Sequence, residues 1–221
     1  MGIRRVLTAA AVALAAAGTV GGTAAPAGAT PGSDRVNLAE YEARIAADVE
    51  DYWRANFDEQ GFAYRPAGLV LVPATSVLEV CGVLAGDPGR NPGAEPAFYC
   101  AAKRTVYLSA GWMHDEIYDR FGRFGTAVVI AHEFGHHIQQ LSGVPAVPGK
   151  RLELQADCFA GTWTGDAYER GAIDDYDVAE GGLTLHYLGD YEMDAPDHHG
   201  TPQERADAYA DGVSNGGPTD C

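Results

Sequence analysis

Five consecutive residues carry the strongest chemical signal in the chain: His132-Glu133-Phe134-Gly135-His136. On an α-helix, positions i and i+4 lie about 40° apart around the axis and roughly 6 Å along it. Two histidines at that spacing project from one face, close enough for both imidazoles to bind one Zn²⁺. Glu133 can sit beside an open position on the metal, where a carboxylate serves as general base toward water. A catalytic zinc usually has three protein ligands, so another element must supply the third. The run Glu153-Leu154-Gln155-Ala156-Asp157 offers it, again with acids at i and i+4. Glu153 completes a His₂Glu set. Asp157, one turn on, can accept the remaining N–H of His132 or His136 and fix its tautomer. Two neutral imidazoles and one carboxylate leave such a site with residual positive charge, suited to activating water and polarising a carbonyl. His137 points about 100° away from His136 and is expected to lie outside the ligand set, beside it or at the surface.

The elements that must position these residues are written in the periodicity. Thr126, Val129, Ile130, Phe134, Ile138 and Leu141 mark a helix from Phe124 to Leu141, stopped by Gly143 and Pro145. A second helix, from about Lys150 to Tyr168, carries Glu153 and Asp157. A third spans roughly Asp177 to Leu188. A last one starts at Thr201, where Thr201, Pro202 and Glu204 spell a T-x-x-E capping box. Upstream, Leu38 to Asn56 reads as an amphipathic helix and Trp112 to Phe121 as another. Leu69 to Val72 and Thr105 to Ser109 read as strands, and residues 85–96, rich in Gly, Pro and Asn, as a long loop.

Residues 1–29 have the pattern of a signal peptide. Arg4 and Arg5 precede an apolar run, Val6 to Ala17, too short to span a bilayer, and Ala27-Gly28-Ala29 offers a cleavage site. Residues 30–221 show no repeat and no dividing linker, so a single domain is expected. A secreted or extracytoplasmic location follows, with no stable membrane span once the leader is gone. The formal net charge is −16, and the leader takes away two arginines and no acid. So acidic a surface repels nucleic acid and anionic membranes. Four cysteines in an exported chain argue for two disulfides. Of the three possible pairings, Cys81–Cys100 closes the Gly, Pro and Asn loop, and Cys158–Cys221 ties the C-terminal cysteine to a helix; these two are favoured. No C-x-x-C spacing exists, which argues against a cysteine-ligated zinc.

His132-Glu133-Phe134-Gly135-His136-His137-Ile138-Gln139, followed by Arg151-Leu152-Glu153-Leu154-Gln155-Ala156-Asp157-Cys158-Phe159-Ala160-Gly161, resembles the neutral zinc metallopeptidase family and, more widely, the gluzincins. Phe98-Tyr99-Cys100, Thr105-Val106-Tyr107-Leu108 and His199-Gly200-Thr201 with Gln203 and Arg205 look like further family blocks. The likeness runs from about Val80 to Arg205. It implies a zincin-like α+β fold, with a small sheet over the metal-binding helix and a mainly helical lower half. It also implies ligands at His132, His136 and Glu153, a base at Glu133, and Thr105 to Ser109 as the strand near the cleft, where a free edge could align an extended peptide. One departure is Gly189-Asp190-Tyr191, where the family tends to show Gly-Asp-Asp.

The expected function is a secreted zinc-dependent metallopeptidase acting on peptide or protein substrates. Two alternatives stay open: a non-catalytic binding protein with structural zinc, and a hydrolase of non-peptide amides. A tetrahedral oxyanion needs a second donor besides the metal. His199 ranks first for that catalytic role, ahead of His186, His198 and Tyr191. Arg205 is expected in a structural ion pair, with Asp190 as candidate partner.

Overall fold

The computed structural model describes residues 31–145, 149–195, 198–215, 217 and 219–221, with side chains from residue 38 onward. The expected leader, residues 1–29, lies outside the described residues. The fold is α+β.

Helix α1 (Pro31–Glu59) buries Leu38, Glu42, Ala46, Val49 and Trp53, one stripe at three- and four-residue spacing, against the core. Trp53 meets Phe159 edge-on, and with Ala46 and Val49 it joins α1 to the main core. A three-stranded sheet follows: β1 (Gly68–Val72), β4 (Ala97–Cys100) and β5 (Thr105–Ser109), in the order β1-β5-β4. β5 pairs parallel to β1, with Gly68 opposite Thr105, and antiparallel to β4, with Phe98 opposite Tyr107. β5 is therefore the central strand, hydrogen-bonded on both sides, and the free edge expected of it does not exist.

Between β1 and β4 lies a hairpin of β2 (Val77–Val80) and β3 (Val83–Gly86) that enters the region read as loop. Its two-residue turn is Cys81-Gly82, both at positive φ (57° and 80°), the geometry that matches strand twist in a tight hairpin. Cys81 is bonded to Cys100 at the end of β4, and Cys158 to Cys221. Both pairings agree with those favoured from the sequence.

After β5 the chain turns directly helical. A short α2 (Ala110–Trp112) runs into a π-helical stretch, Met113–Tyr118, and then α3 (Asp119–Leu141). Gly122, at φ 74° and ψ −167°, breaks α3 near its start. The Glu180 carboxylate accepts the backbone N–H of Phe124 just beyond, capping the restarted helix. From Phe124 to Gly135 every residue of α3 is buried, so this is the central helix, covered on all sides. Helices α4 (Lys150–Glu169), α5 (Asp175–Tyr187) and α6 (Pro202–Asn215) complete the lower half. The predicted capping box opens α6: the Thr201 N–H donates to Glu204 Oε2 at 3.0 Å, and the Glu204 N–H to Thr201 Oγ1 at 3.2 Å.

Two close crossings set the geometry below the sheet. A Cβ on Gly135 would lie 2.9 Å from Cα and from the carbonyl oxygen of Ala156, so α3 and α4 touch backbone to backbone there. Gly161 and Gly212 likewise leave no room for a Cβ where α4 meets α6. Gly135→Ala should destabilise the protein by about 1–3 kcal/mol through overpacking. Urea unfolding measures it, and an unchanged midpoint would mean that the α3–α4 contact has slack.

Candidate metal centre

Gly135 sits between the two histidines of the motif, and Ala156 between Glu153 and Asp157. The α3–α4 crossing therefore brings the two i, i+4 pairs face to face. Nε2 of His132 lies 3.3 Å from Oε2 of Glu153, and Nε2 of His136 lies 3.5 Å from Oε1. The ligand atoms of these three residues fall within 4.8 Å of one another. Tetrahedral zinc with bonds of about 2.0–2.1 Å holds its ligand atoms about 3.4 Å apart. The observed separations match that spacing, and the donors are the nitrogen and oxygen types zinc takes. The site fits the metal. A second group of potential ligands, His114, Asp115 and Asp119, lies on and just after the π-helical stretch, but its two acids are exposed and Arg90 also binds Asp115.

Each histidine is held from behind. His132 Nδ1 is 2.7 Å from Asp157 Oδ1. Asp157 is fully buried and is gripped twice by Arg205, whose Nε donates to Oδ2 and Nη2 to Oδ1, both at 2.8 Å. Arg205 Nη1 also donates to the Leu188 carbonyl at 3.1 Å. Arg205 thus pairs with Asp157 and not with Asp190, because the α4–α6 crossing carries it under α4. Asp190 is occupied elsewhere: it accepts the His199 backbone N–H at 2.9 Å and bonds His198 Nδ1. His136 Nδ1 lies 2.9 Å from Gln139 Oε1.

Burial and charge separate these groups. Burial alone would raise the Asp157 carboxyl, but the Arg205 guanidinium and then His132 hold it below the usual aspartate range. Burial opposes charge on His132, yet the Asp157 carboxylate carries its pKa up to about 10. His136 lies low, through burial and the neighbouring His132 charge. Burial would raise Glu153 too, but its hydrogen bond to His132 and the charges of both histidines keep it strongly ionised. Glu133 moves the other way: burial pushes it up to about 7, and its Oε2 is buried with no hydrogen-bond partner.

His137, adjacent to the motif, is wholly buried and uses both ring nitrogens elsewhere, bonding Tyr99 Oη at 2.8 Å and the Arg65 carbonyl at 2.7 Å. It pins β4 and the segment after α1 to α3, which replaces the expected place beside the ligands or at the surface with a core one. His199 has a half-exposed side chain, 3.6 Å from Asp190, and its charge is felt at both Glu133 and Glu153. His198 is buried on Asp190 with its Nε2 unpartnered, while His186 and Tyr191 are exposed. Sequence reasoning missed Gln139 and the partner of Arg205. Gln139 had one available signal, its i+3 spacing from His136.

A family model described as "Putative neutral zinc metallopeptidase" matches residues 14–148 and 147–221. The chain belongs to that family. The match begins well before Val80, where the likeness read from motifs had started. The uncharacterized protein YpfJ of Escherichia coli K12 is 32% identical over 210 residues, covering 83% of this chain and 70% of that protein. The uncharacterized protein Rv2575 of Mycobacterium tuberculosis H37Rv is 38% identical over 79 residues, covering 30% of this chain and 27% of that protein. No solved structure matches. The family implies a hydrolase that uses zinc and takes protein or peptide substrates.

The Asp157–Arg205 pair permits a direct test. Arg205→Met leaves a buried carboxylate without its cation and should cost about 3–5 kcal/mol. Denaturant unfolding reads this, and a loss under about 1 kcal/mol would mean the pair behaves like an exposed one.

Proposed function

We propose that this chain is an exported zinc-dependent peptidase, with His132, His136 and Glu153 as metal ligands, Asp157 orienting His132, and Glu133 as general base. The observation that carries the reading is the convergence of both Nε2 atoms on the Glu153 carboxylate beside Glu133, whose buried Oε2 has no partner. A buried carboxyl oxygen left unbonded costs about 1–3 kcal/mol, and such strain is expected where a group is kept ready for a reacting molecule.

Zinc, when bound, supplies Lewis acidity, making a water nucleophilic and polarising the scissile carbonyl. Glu133 takes the proton of the attacking water and passes it to the leaving amine. Burial raises the Glu133 carboxyl above the usual glutamate range, which makes it a better proton acceptor than an exposed carboxylate. His199 donates to the developing oxyanion, and Asp190 steadies its backbone.

Export and a single unit over residues 30–221 belong to the same reading. Two disulfides support export, and no helix among the described residues is long and apolar enough to cross a membrane.

Glu133→Gln should retain zinc and lower turnover about 10²–10⁴-fold, the usual contribution of a general base. Glu153→Ala should release the metal. Zinc stoichiometry by plasma emission and cleavage of an unbiased peptide library measure both. Near-normal cleavage by Glu133→Gln would remove Glu133 as the base. A zinc-loaded wild type that cuts no peptide would overturn the peptidase reading.

A further inference from the structure

We propose that Gln139 is a positioning residue for His136, and that the Leu152 carbonyl, backed through Gln155 by the main-chain oxygen of Cys221, sets which way it faces. The proposal rests on the metal-centre reading above and extends it to residues outside the ligand set.

The argument turns on donor and acceptor polarity. An amide side chain can present either its oxygen or its NH₂, and the hydrogen-bond network decides which. Gln139 is buried at 4% exposure, so protein groups must satisfy it. Its Nε2 lies 2.7 Å from the Leu152 carbonyl oxygen. A carbonyl only accepts, so the NH₂ of Gln139 must face Leu152. Its oxygen must then face His136 Nδ1, 2.9 Å away. That oxygen also only accepts, so His136 carries its proton on Nδ1. Nε2, 3.5 Å from Glu153 Oε1, is left with its lone pair toward the metal position.

A second carbonyl repeats the logic one residue further out. Gln155 Nε2 donates to the Cys221 carbonyl at 3.4 Å, which turns Gln155 Oε1 toward Gln139 Nε2 at 3.2 Å. The Cys158–Cys221 disulfide holds that carbonyl against α4. The result is a one-directional relay from Cys221 through Gln155 and Gln139 to His136. It does for His136 what Asp157 and Arg205 do for His132, with a difference in charge. An amide orients the ring without bringing another carboxylate to the centre.

The test uses the full mature chain and zinc itself, with affinity read by chelator competition and the melting temperature of the metal-free protein read alongside. Gln139→Leu removes acceptor and donor together. Gln139→Glu keeps the acceptor and loses the donor. Zinc affinity should fall about 10–100-fold in Gln139→Leu, the usual cost of losing a group that orients a metal ligand, and by clearly less in Gln139→Glu, whose one oxygen still accepts from His136 Nδ1 although the other now opposes the Leu152 carbonyl. Gln139→Met serves as a second acceptor-free variant if Gln139→Leu is not recovered folded. Gln155→Leu should give a smaller loss than Gln139→Leu. Equal losses in the Leu and Glu variants, tracking the metal-free melting temperature, would reduce Gln139 to a structural clamp and overturn the proposal. So would wild-type zinc affinity in Gln139→Leu. A wild-type chain that takes up no zinc would instead overturn the metal-centre reading, and this proposal with it.

Discussion

The contact between Gly135 and Ala156 is the constraint on which the rest of the molecule depends. Two helices can present i, i+4 pairs to each other at coordination distance only when their axes come unusually close, and the missing Cβ at Gly135 permits that approach. The position lies inside the His132–His136 motif itself. Close approach also closes the region to solvent. It buries Asp157 fully and leaves His132 and Glu133 each 6% exposed. The low-dielectric surroundings that set the ionisation of the acids and histidines follow from the same contact.

Burial on this scale demands compensation, and the surrounding elements provide it. Asp157 would be prohibitively costly alone, so α6 crosses α4 at Gly161 and Gly212 and delivers Arg205 to it. α6 is in turn started by Thr201 and Glu204 and tied to α4 through Lys150, whose Nζ donates to Glu204 Oε1 at 2.7 Å. On the upper side, His137 and Tyr99 fasten the sheet to α3, and the Cys81–Cys100 bond fastens the hairpin to the sheet. The sheet and the lower helices are thus fixed to one central helix from opposite directions.

Much of this was legible in the sequence, for physical reasons that differ by element. The long helices announced themselves through apolar spacing, and α6 through its capping residues. The face-to-face acids and histidines could be read because helical periodicity converts spacing into direction. The disulfides followed from loop chemistry and an even cysteine count. The β2–β3 hairpin escaped because Cys81-Gly82 is an unusual turn and several of its apolar side chains, Val77, Leu78 and Leu84, are exposed. β4 escaped because it is four residues long and follows a Gly- and Pro-rich stretch. The π-helical stretch has no simple period to read. The partners of Arg205, Gln139 and His137 depend on where separate helices cross, which no local pattern records. Without the pairing of strands, the sequence could not tell that β5 is central.

The Asp157–Arg205 pair has a consequence for how the molecule comes into being. The two residues are 48 positions apart, with α5 between them. A chain emerging from its N-terminal end presents the histidine helix and α4 well before α6 exists. Until α6 docks, Asp157 has no guanidinium to offset its burial, so the α3–α4 face cannot close around a charged carboxylate. The α3–α4 face on which His132, His136 and Glu153 meet is therefore completed late, with the arrival of the last helix. An unfinished chain holds the five-residue motif without the guanidinium that lets Asp157 stay charged behind His132.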